Sequence, residues 1–347
     1  MNRNEFYIQR CIDLAKKGLK SVAPNPMVGC VIVNNDRVIA ESYHIKYGEA
    51  HAEVNAIRQV KNVNLLQSST LYVSLEPCAH FGKTPPCSNL IVEKKIPKVV
   101  IACVDPFAEV AGKGIEMLRK NGVEVVVGVL EKKALNLNKR FFTFHKKKRP
   151  YIVLKWAQTA DGFIDTIRTD NTPKVNWITH PTTKQLTDTW RSQEMAILVG
   201  KNTVLNDNPK LTVRSILGRN PIRLIIDRNC SIPTSFSIFD GSSKTFIFNH
   251  IKQGTENNVT YIKLPFKNVL NELLDWSYSN NIQSILVEGG KITLTSFIQQ
   301  NLWDEARVYT GNTFFNQGLK APKIVSNNIK TTSFGMDKLS IFYNKNI

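Results

Sequence analysis

Apolar positions in the first 130 residues switch repeatedly between two periods. Ile8, Cys11, Ile12, Ala15 and Leu19 recur at helical spacing, which predicts an amphipathic helix over 5–20. Pro24, Asn25 and Pro26 break the chain before an apolar run at 28–33, and the turn Asn34-Asn35-Asp36 returns it through 37–42 as a hairpin. Ala52, Ala56, Ile57 and Val60 mark a second helix. Residues 70–75, 98–104 and 123–129 read as strands, and 90–95 and 114–120 as helices, the latter stopped by Asn121-Gly122. This alternation predicts α/β layers around a mixed sheet. A second such pattern starts at Tyr151, with strands at 151–156, 195–199, 221–227, 244–248, 259–264 and 284–288 and helices at 181–192, 269–279 and 293–301. Between the two patterns, 139–149 carries six Lys/Arg and ends at Pro150. It reads as a solvated helix end plus linker, giving domains at 1–147 and 148–347.

A chain of 347 residues, 42% hydrophobic and 21% charged, suits two ordinary globular cores. No apolar run reaches the ~18 residues of a membrane span, and the N-terminal MNRNEFYIQR lacks the apolar stretch of a signal peptide. Six cysteines in so long a chain do not form a disulfide scaffold, so metal or catalytic use of thiols in a cytoplasmic enzyme is expected. The net charge of +18 attracts anions, whether nucleic acid, membrane surface or phosphorylated metabolite. A Lys-, Asn- and Ile-rich composition also follows from AT-rich coding, so charge alone does not choose among them.

The chemistry begins at His51-Ala52-Glu53, followed by Pro77-Cys78 and Pro86-Cys87. A hydrolytic zinc site takes three protein ligands and keeps one position open for water, whose pKa the metal lowers. His51, Cys78 and Cys87 meet that count. Glu53, two residues from the His, can take the water's proton and pass it to a leaving amine. His-x-Glu followed by Pro-Cys-x-x-Cys is the signature of nucleobase deaminases; here eight residues, not two, separate the cysteines. His44 and His80 flank the site as candidate substrate contacts, and Cys11, Cys30, Cys103 and Cys230 read as core thiols.

Residues 23–30 (APNPMVGC), 51–54 (HAEV) and 75–87 (LEPCAHFGKTPPC) resemble the deaminase half of the bifunctional riboflavin-biosynthesis deaminase–reductases, whose long spacer between the cysteines they share. Asp105-Pro106 also fits, although Phe107-Ala108 stands where the family usually has Asn-Pro. The resemblance implies a cytidine-deaminase-like three-layer α/β/α domain with one zinc. Its substrate would be a diaminohydroxy-pyrimidine bearing a ribosylamino 5′-phosphate, deaminated at C2.

In the second half, two nucleotide motifs fail: Met117 replaces the third glycine after Gly112-x-Gly114, and Asn202 follows Gly200-Lys201 in place of Ser/Thr. Glu288-Gly289-Gly290 remains, after an apolar strand and before a helix, where backbone can approach a ligand and free N–H groups can meet a phosphate. Thr159-Ala160-Asp161-Gly162, Trp177-Ile178-Thr179, Asp207-Asn208-Pro209, Leu211-Thr212-Val213-Arg214 and Val287-Glu288-Gly289-Gly290 resemble the same family's reductase domain. That implies a dihydrofolate-reductase-like α/β fold and NADPH. By the resemblance, Ala157, Trp177, Thr203, Asp207, Gly290, Lys291, Ile292, Thr293, Leu294, Thr295 and Ser296 line the cofactor, and Arg191, Leu211, Arg214 and Glu288 hold the substrate. The arginines can grip its phosphate in bidentate fashion. Asp207 or Glu288 relays the proton that accompanies hydride transfer to C1′, and Arg228 is a candidate for the 2′-phosphate of NADPH. The segment between Gly162 and Trp177 is longer than the family's usual turn, and Val175 stands where a substrate-contacting Ser is common. Expected partners are the small phosphorylated pyrimidine and further copies of the chain, with no nucleic acid and no membrane. The alternative, a nucleic-acid-editing zinc deaminase with a basic C-terminal binding domain, is opposed by the cysteine spacer and by the absence of an aromatic-rich stacking motif.

Overall fold

In the computed structural model, which describes residues 1–79, 85–107, 110–170 and 172–344, Asn2 and Glu5 form a capping box that opens α1 (Arg3–Ala15), a device worth about 1 kcal/mol. The helix is shorter than its predicted span because its end tightens into a 3₁₀ turn at Lys16–Gly18. Five strands follow in the first unit, Met1–Lys148: β1 (Gly29–Asn34), β2 (Arg37–Tyr43), β3 (Thr70–Val73), β4 (Lys98–Ile101) and β5 (Glu124–Val127). Their order is β2-β1-β3-β4-β5, antiparallel on either side of β1 and parallel from β3 onward. The helices are α2 (Ala52–Gln59), α3 (Cys87–Glu93), α4 (Lys113–Lys120), α5 (Glu131–Leu137) and α6 (Lys139–Lys147).

Strand alternation divides this core in two. Ile32, Val73 and Ile101 pack with Ala56 of α2, Ile91 of α3 and Leu118 of α4. On the other face Val31, Tyr72 and Val100 pack with Ile8 and Ile12 of α1 and Phe142 of α6. The result is the three-layer arrangement expected. The basic run at 139–149 is mostly helix, with only its last residues left as connection, since Phe141, Phe142 and Phe144 bury an apolar stripe of α6 and its lysines flank that stripe. Gly29 lets α1 rest directly on β1, because a Cβ there would lie 2.0 Å from the Cys11 carbonyl oxygen.

The second unit, Arg149–Ile347, begins with β6 (Tyr151–Gln158), β7 (Phe163–Asp165), α7 (Thr183–Gln193), β8 (Ala196–Gly200), α8 (Lys201–Asp207) and β9 (Ile222–Ile226). Then come β10 (Thr245–Asn249), β11 (Gly254–Glu256), β12 (Val259–Lys263), α9 (Val269–Ser279), β13 (Ser284–Gly289) and α10 (Lys291–Gln299), and finally β14 (Glu305–Thr310), β15 (Leu319–Lys320), β16 (Ile329–Phe334) and β17 (Asp337–Tyr343). The main sheet runs β11-β12-β10-β9-β8-β13-β6-β14-β17-β16. Its strands from β12 to β14 are parallel to their neighbours and the outer ones antiparallel. The central strands are covered on both faces, as a parallel sheet requires. Leu154, Leu198 and Phe248 meet Leu273 of α9 and Phe297 of α10, and Val153 and Leu286 meet Trp190 of α7. The sequence pattern gave no element beyond 301, because β14 buries Glu305 and Arg307 as an ion pair and β16 is exposed. Among the described residues no helix is long and apolar enough to cross a membrane.

Candidate active sites

In the first unit, His51 stands at the start of α2 in extended backbone and Cys87 is the first residue of α3, after Pro86. Cys78 lies on the loop beyond β3. The three side chains converge. His51 Nδ1 is 3.6 Å from Cys78 Sγ and 3.4 Å from Cys87 Sγ, and all three ligand atoms lie within 4.8 Å of one another. Tetrahedral zinc, with bonds of about 2.0 Å to nitrogen and about 2.3 Å to sulfur, sets those atoms about 3.5 Å apart. The donors and their spacing therefore fit zinc, with one coordination position to spare.

The side chains of the cluster share charge. The Cys87 thiol, with His51 behind it, pulls Cys78 down to about 4 against burial, and the Cys87 backbone N–H donates to Cys78 Sγ at 3.3 Å. Cys78 in turn raises His51 to about 9. Glu53 lies in the first turn of α2, 3% exposed; burial pushes it up to about 7, and it reaches the Cys87 thiol. His44 is buried with its ring edge-on to His51, centroids 5.4 Å apart. Its Nδ1 faces the Ala50 carbonyl oxygen at 3.1 Å and must donate, leaving Nε2 to accept from Asn25 Nδ2 at 3.1 Å. His80 lies outside the described residues. Cys11, Cys30 and Cys103 are buried thiols, whereas Cys230 is only half-buried, in the turn after β9.

Sequence reasoning passed over Glu76. Its carboxylate accepts four backbone N–H groups from far along the chain, two from the loop before α4 (Asp105 and Gly112, on Oε2) and two from the first turn of α4 (Gly114 and Ile115, on Oε1). α4 has no side-chain cap of its own, so Glu76 caps it from a distance and ties it to the chain one residue before Pro77-Cys78. Asp105, on the same loop, is pushed up to about 7 by burial.

In the second unit a cavity of about 810 Å³ opens at the carboxyl ends of β9, β8, β13 and β6, four neighbouring parallel strands, the usual place for a ligand in such a sheet. Ala157, Trp177, Thr203, Asp207, Gly290 and Lys291 to Leu294 line it, as do Arg191, Leu211, Arg214 and Glu288. Thr295 and Ser296 do not; they fall on the second turn of α10, where the Ser296 hydroxyl donates back to Ile292 O. Arg228 is not among the lining residues either; it is exposed just past β9. Glycine is required at Gly289, where φ is +129°.

The charges are arranged differently from expectation. Arg191 does not offer a free fork for phosphate. Its Nε and NH2 donate to the two oxygens of Glu288, both at 2.8 Å, and its NH1 to Thr212 O and Asp188. Burial alone would raise Glu288, but Arg191 and Lys155 outweigh it and hold the carboxyl at about 2. The Arg214 guanidinium, by contrast, makes no hydrogen bond or close ion pair among the described residues. Asp207 is pushed up to about 6 by burial, with Arg168 opposing. Lys155 was also missed. It is a half-buried cation 3.9 Å from Glu288 on the cavity wall, and a lysine inside the apolar run of β6 is itself the signal that would have found it.

Two family descriptions match consecutive parts of the chain: the cytidine and deoxycytidylate deaminase zinc-binding region over residues 1–103, and the RibD C-terminal domain over residues 150–327. The riboflavin biosynthesis protein RibD of Aquifex aeolicus is 38% identical over 323 residues, 90% of this chain and 88% of that protein. The chain belongs to the RibD family. Its fold agrees with that of the Thermotoga maritima diaminohydroxyphosphoribosylaminopyrimidine deaminase/5-amino-6-(5-phosphoribosylamino)uracil reductase, at TM-score 0.87 and 36% identity over 98% of both chains. Acinetobacter baumannii RibD gives TM-score 0.86 and 32% identity, again over 98% of both. The chain is accordingly a bifunctional enzyme of riboflavin biosynthesis, a zinc deaminase joined to an NADPH-using reductase, acting on a small phosphorylated pyrimidine. The nucleic-acid-editing alternative is not favoured.

Proposed function

We propose that His51, Cys78 and Cys87 hold the zinc, that Glu53 moves the proton of the deamination, and that Asp207 supplies the proton of the reduction. The spacing of one imidazole and two thiols at the separations of a tetrahedral site carries the first assignment. When bound, zinc supplies Lewis acidity toward water and NADPH supplies hydride. In the deaminase, water oxygen replaces the amine at pyrimidine C2. Glu53 takes a proton from the water and delivers it to the departing ammonia, which its burial beside the ligands permits. In the reductase, hydride arrives at C1′ of the opened ribose and a proton must follow. Glu288, held at about 2, carries essentially no proton at neutral pH; Asp207, at about 6, keeps one on roughly a tenth of molecules at pH 7 and is the better donor of the two. Arg214 takes the 5′-phosphate, and the Arg191–Glu288 pair orders the rest of the substrate.

The two halves fold on their own, divided near residues 147–148, and the protein works in the cytoplasm as a homo-oligomer with neither nucleic acid nor membrane as partner. The assignment is tested by Cys78→Ala, Cys87→Ala and Glu53→Gln. The cysteine variants lose zinc on metal analysis. Glu53→Gln keeps zinc yet deaminates at least ~100-fold more slowly, while still reducing the already deaminated substrate. Full zinc occupancy in both cysteine variants, or near-normal deamination by Glu53→Gln, removes the corresponding role.

A further inference from the structure

The described residues of the stretch between Gly162 and Trp177, which is longer than the family's usual turn, are held at the reductase cavity chiefly by Arg168. Arg168 spends its whole guanidinium there. Nε donates to Asp165 Oδ2 at 2.9 Å, NH1 to Lys174 O at 2.8 Å and Asn206 O at 3.0 Å, and NH2 to Asp207 Oδ1 at 3.0 Å. Asp165 secures both ends of the stretch, accepting from Thr166 N and from Asn176 Nδ2, and Lys174 N donates to Asn206 O at 2.7 Å. Asp165, Arg168, Asn176, Asn206 and Asp207 all line the cavity. A cation that donates to a carbonyl at the end of α8 also meets the negative end of that helix.

The two oxygens of Asp207 are therefore unequal. Oδ1 accepts from Arg168, while Oδ2 accepts from no donor among the described residues. A cation donating to Oδ1 disfavours a proton on that oxygen and favours one on the other. We propose that Arg168 is a positioning residue of the reductase step: its bond to Oδ1 fixes the plane of the Asp207 carboxyl and confines the transferable proton to Oδ2. The proton would pass from Oδ2 to the nitrogen of the opened C1′=N bond while that carbon is reduced by two electrons, which bound NADPH would supply as hydride, and Asp207 would regain a proton from solvent, so charge and atoms balance. Burial has the largest effect on Asp207 and raises it; of the charged groups acting directly on it, Arg168 opposes burial and Asp165 adds to it. Lys201 of its own helix and Lys155, Arg191 and Glu288 line the same space. The proposal rests on the reading of this cavity as the reductase site.

The test is the pH dependence of reduction, followed by NADPH loss with the already deaminated substrate, in wild type, Arg168→Met, Arg168→Gln and Asp207→Asn. A carboxyl that must be protonated gives a rate that falls as pH rises through its pKa. Arg168→Met is expected to lower kcat by roughly tenfold or more with KM changed less than about twofold, and to move the falling limb to higher pH, because the cation that favours ionisation is gone. Arg168→Gln, which keeps donors for the two carbonyls, is expected to move the limb in the same direction and decides the matter if Arg168→Met does not fold. Asp207→Asn should lose both rate and limb. Wild-type kcat and limb in the folded Arg168 variants, with Asp207→Asn impaired, would overturn the role of Arg168 alone. Wild-type behaviour of Asp207→Asn would instead remove the reading of the cavity on which it stands.

Discussion

Arg191 and Arg214 are both arginines on the cavity wall, yet their surroundings give them different work. Arg214→Ala removes a cation that makes no hydrogen bond or close ion pair among the described residues, so it should raise KM for the reductase substrate by roughly 10- to 100-fold, the value of a charge-assisted bond to phosphate, and leave the melting temperature near that of wild type. Arg191→Ala removes both hydrogen bonds from the Glu288 carboxylate, leaving it only Lys155 at 3.9 Å, and should cost on the order of 3 kcal/mol of stability in the second unit, seen as a lower Tm. Equal melting temperatures for the two variants would contradict this division. The same pair predicts an acid response. Glu288 is held at about 2, below the ordinary carboxylate value, so its pairing stabilises fully above about pH 4.5 and is lost as pH falls toward 2. Melting of the wild type should therefore weaken between pH 4.5 and 2 more steeply than melting of Glu288→Gln; parallel curves would count against it.

At the scale of elements, the proposed zinc ligands show what sequence reveals easily. His51 and Glu53 are two residues apart on one helix start, and each cysteine follows a proline, so short motifs carried the whole triad. Glu76 shows the opposite case. It adjoins Pro77-Cys78, but its four donors lie 29 to 39 residues downstream, and no local pattern announces them. Arg191 and Glu288 are likewise 97 residues apart, which is why two residues expected to hold the substrate side by side proved to hold each other. The buried strands of the second unit were legible as apolar runs. α8 and the strands beyond 301 were not, because short, exposed or charge-bearing elements lack a clean period. The cap made by Glu76 yields its own prediction. Glu76→Ala releases α4 from the cysteine loop and should let a colorimetric chelator strip zinc at least roughly tenfold faster. Gly114→Ala should act in the same direction, since a Cβ there would lie 2.0 Å from Pro77 O. Zinc release at the wild-type rate in both variants would separate this contact from the metal site.

Across the whole molecule, the units Met1–Lys148 and Arg149–Ile347 each hold their own sheet and core. Fragments 1–147 and 148–347 should each be soluble and each retain one activity, deamination or reduction, in separate assays; two insoluble fragments would speak for interdependent folding. Strand order makes the units unequal during synthesis. In the first, β1 finds β2 almost at once and β3 soon after. In the second, the first strand made, β6, lies between β13 and β14, and Ser284 follows Tyr151 by 133 residues (284 − 151). At translation speeds of about 5–20 residues per second, both backbone edges of an apolar strand wait on the order of ten seconds for neighbours still inside the ribosome. A nascent chain then has every strand of its first sheet made while it trails an unpaired strand of the second, a period in which chaperones and premature association compete for that strand.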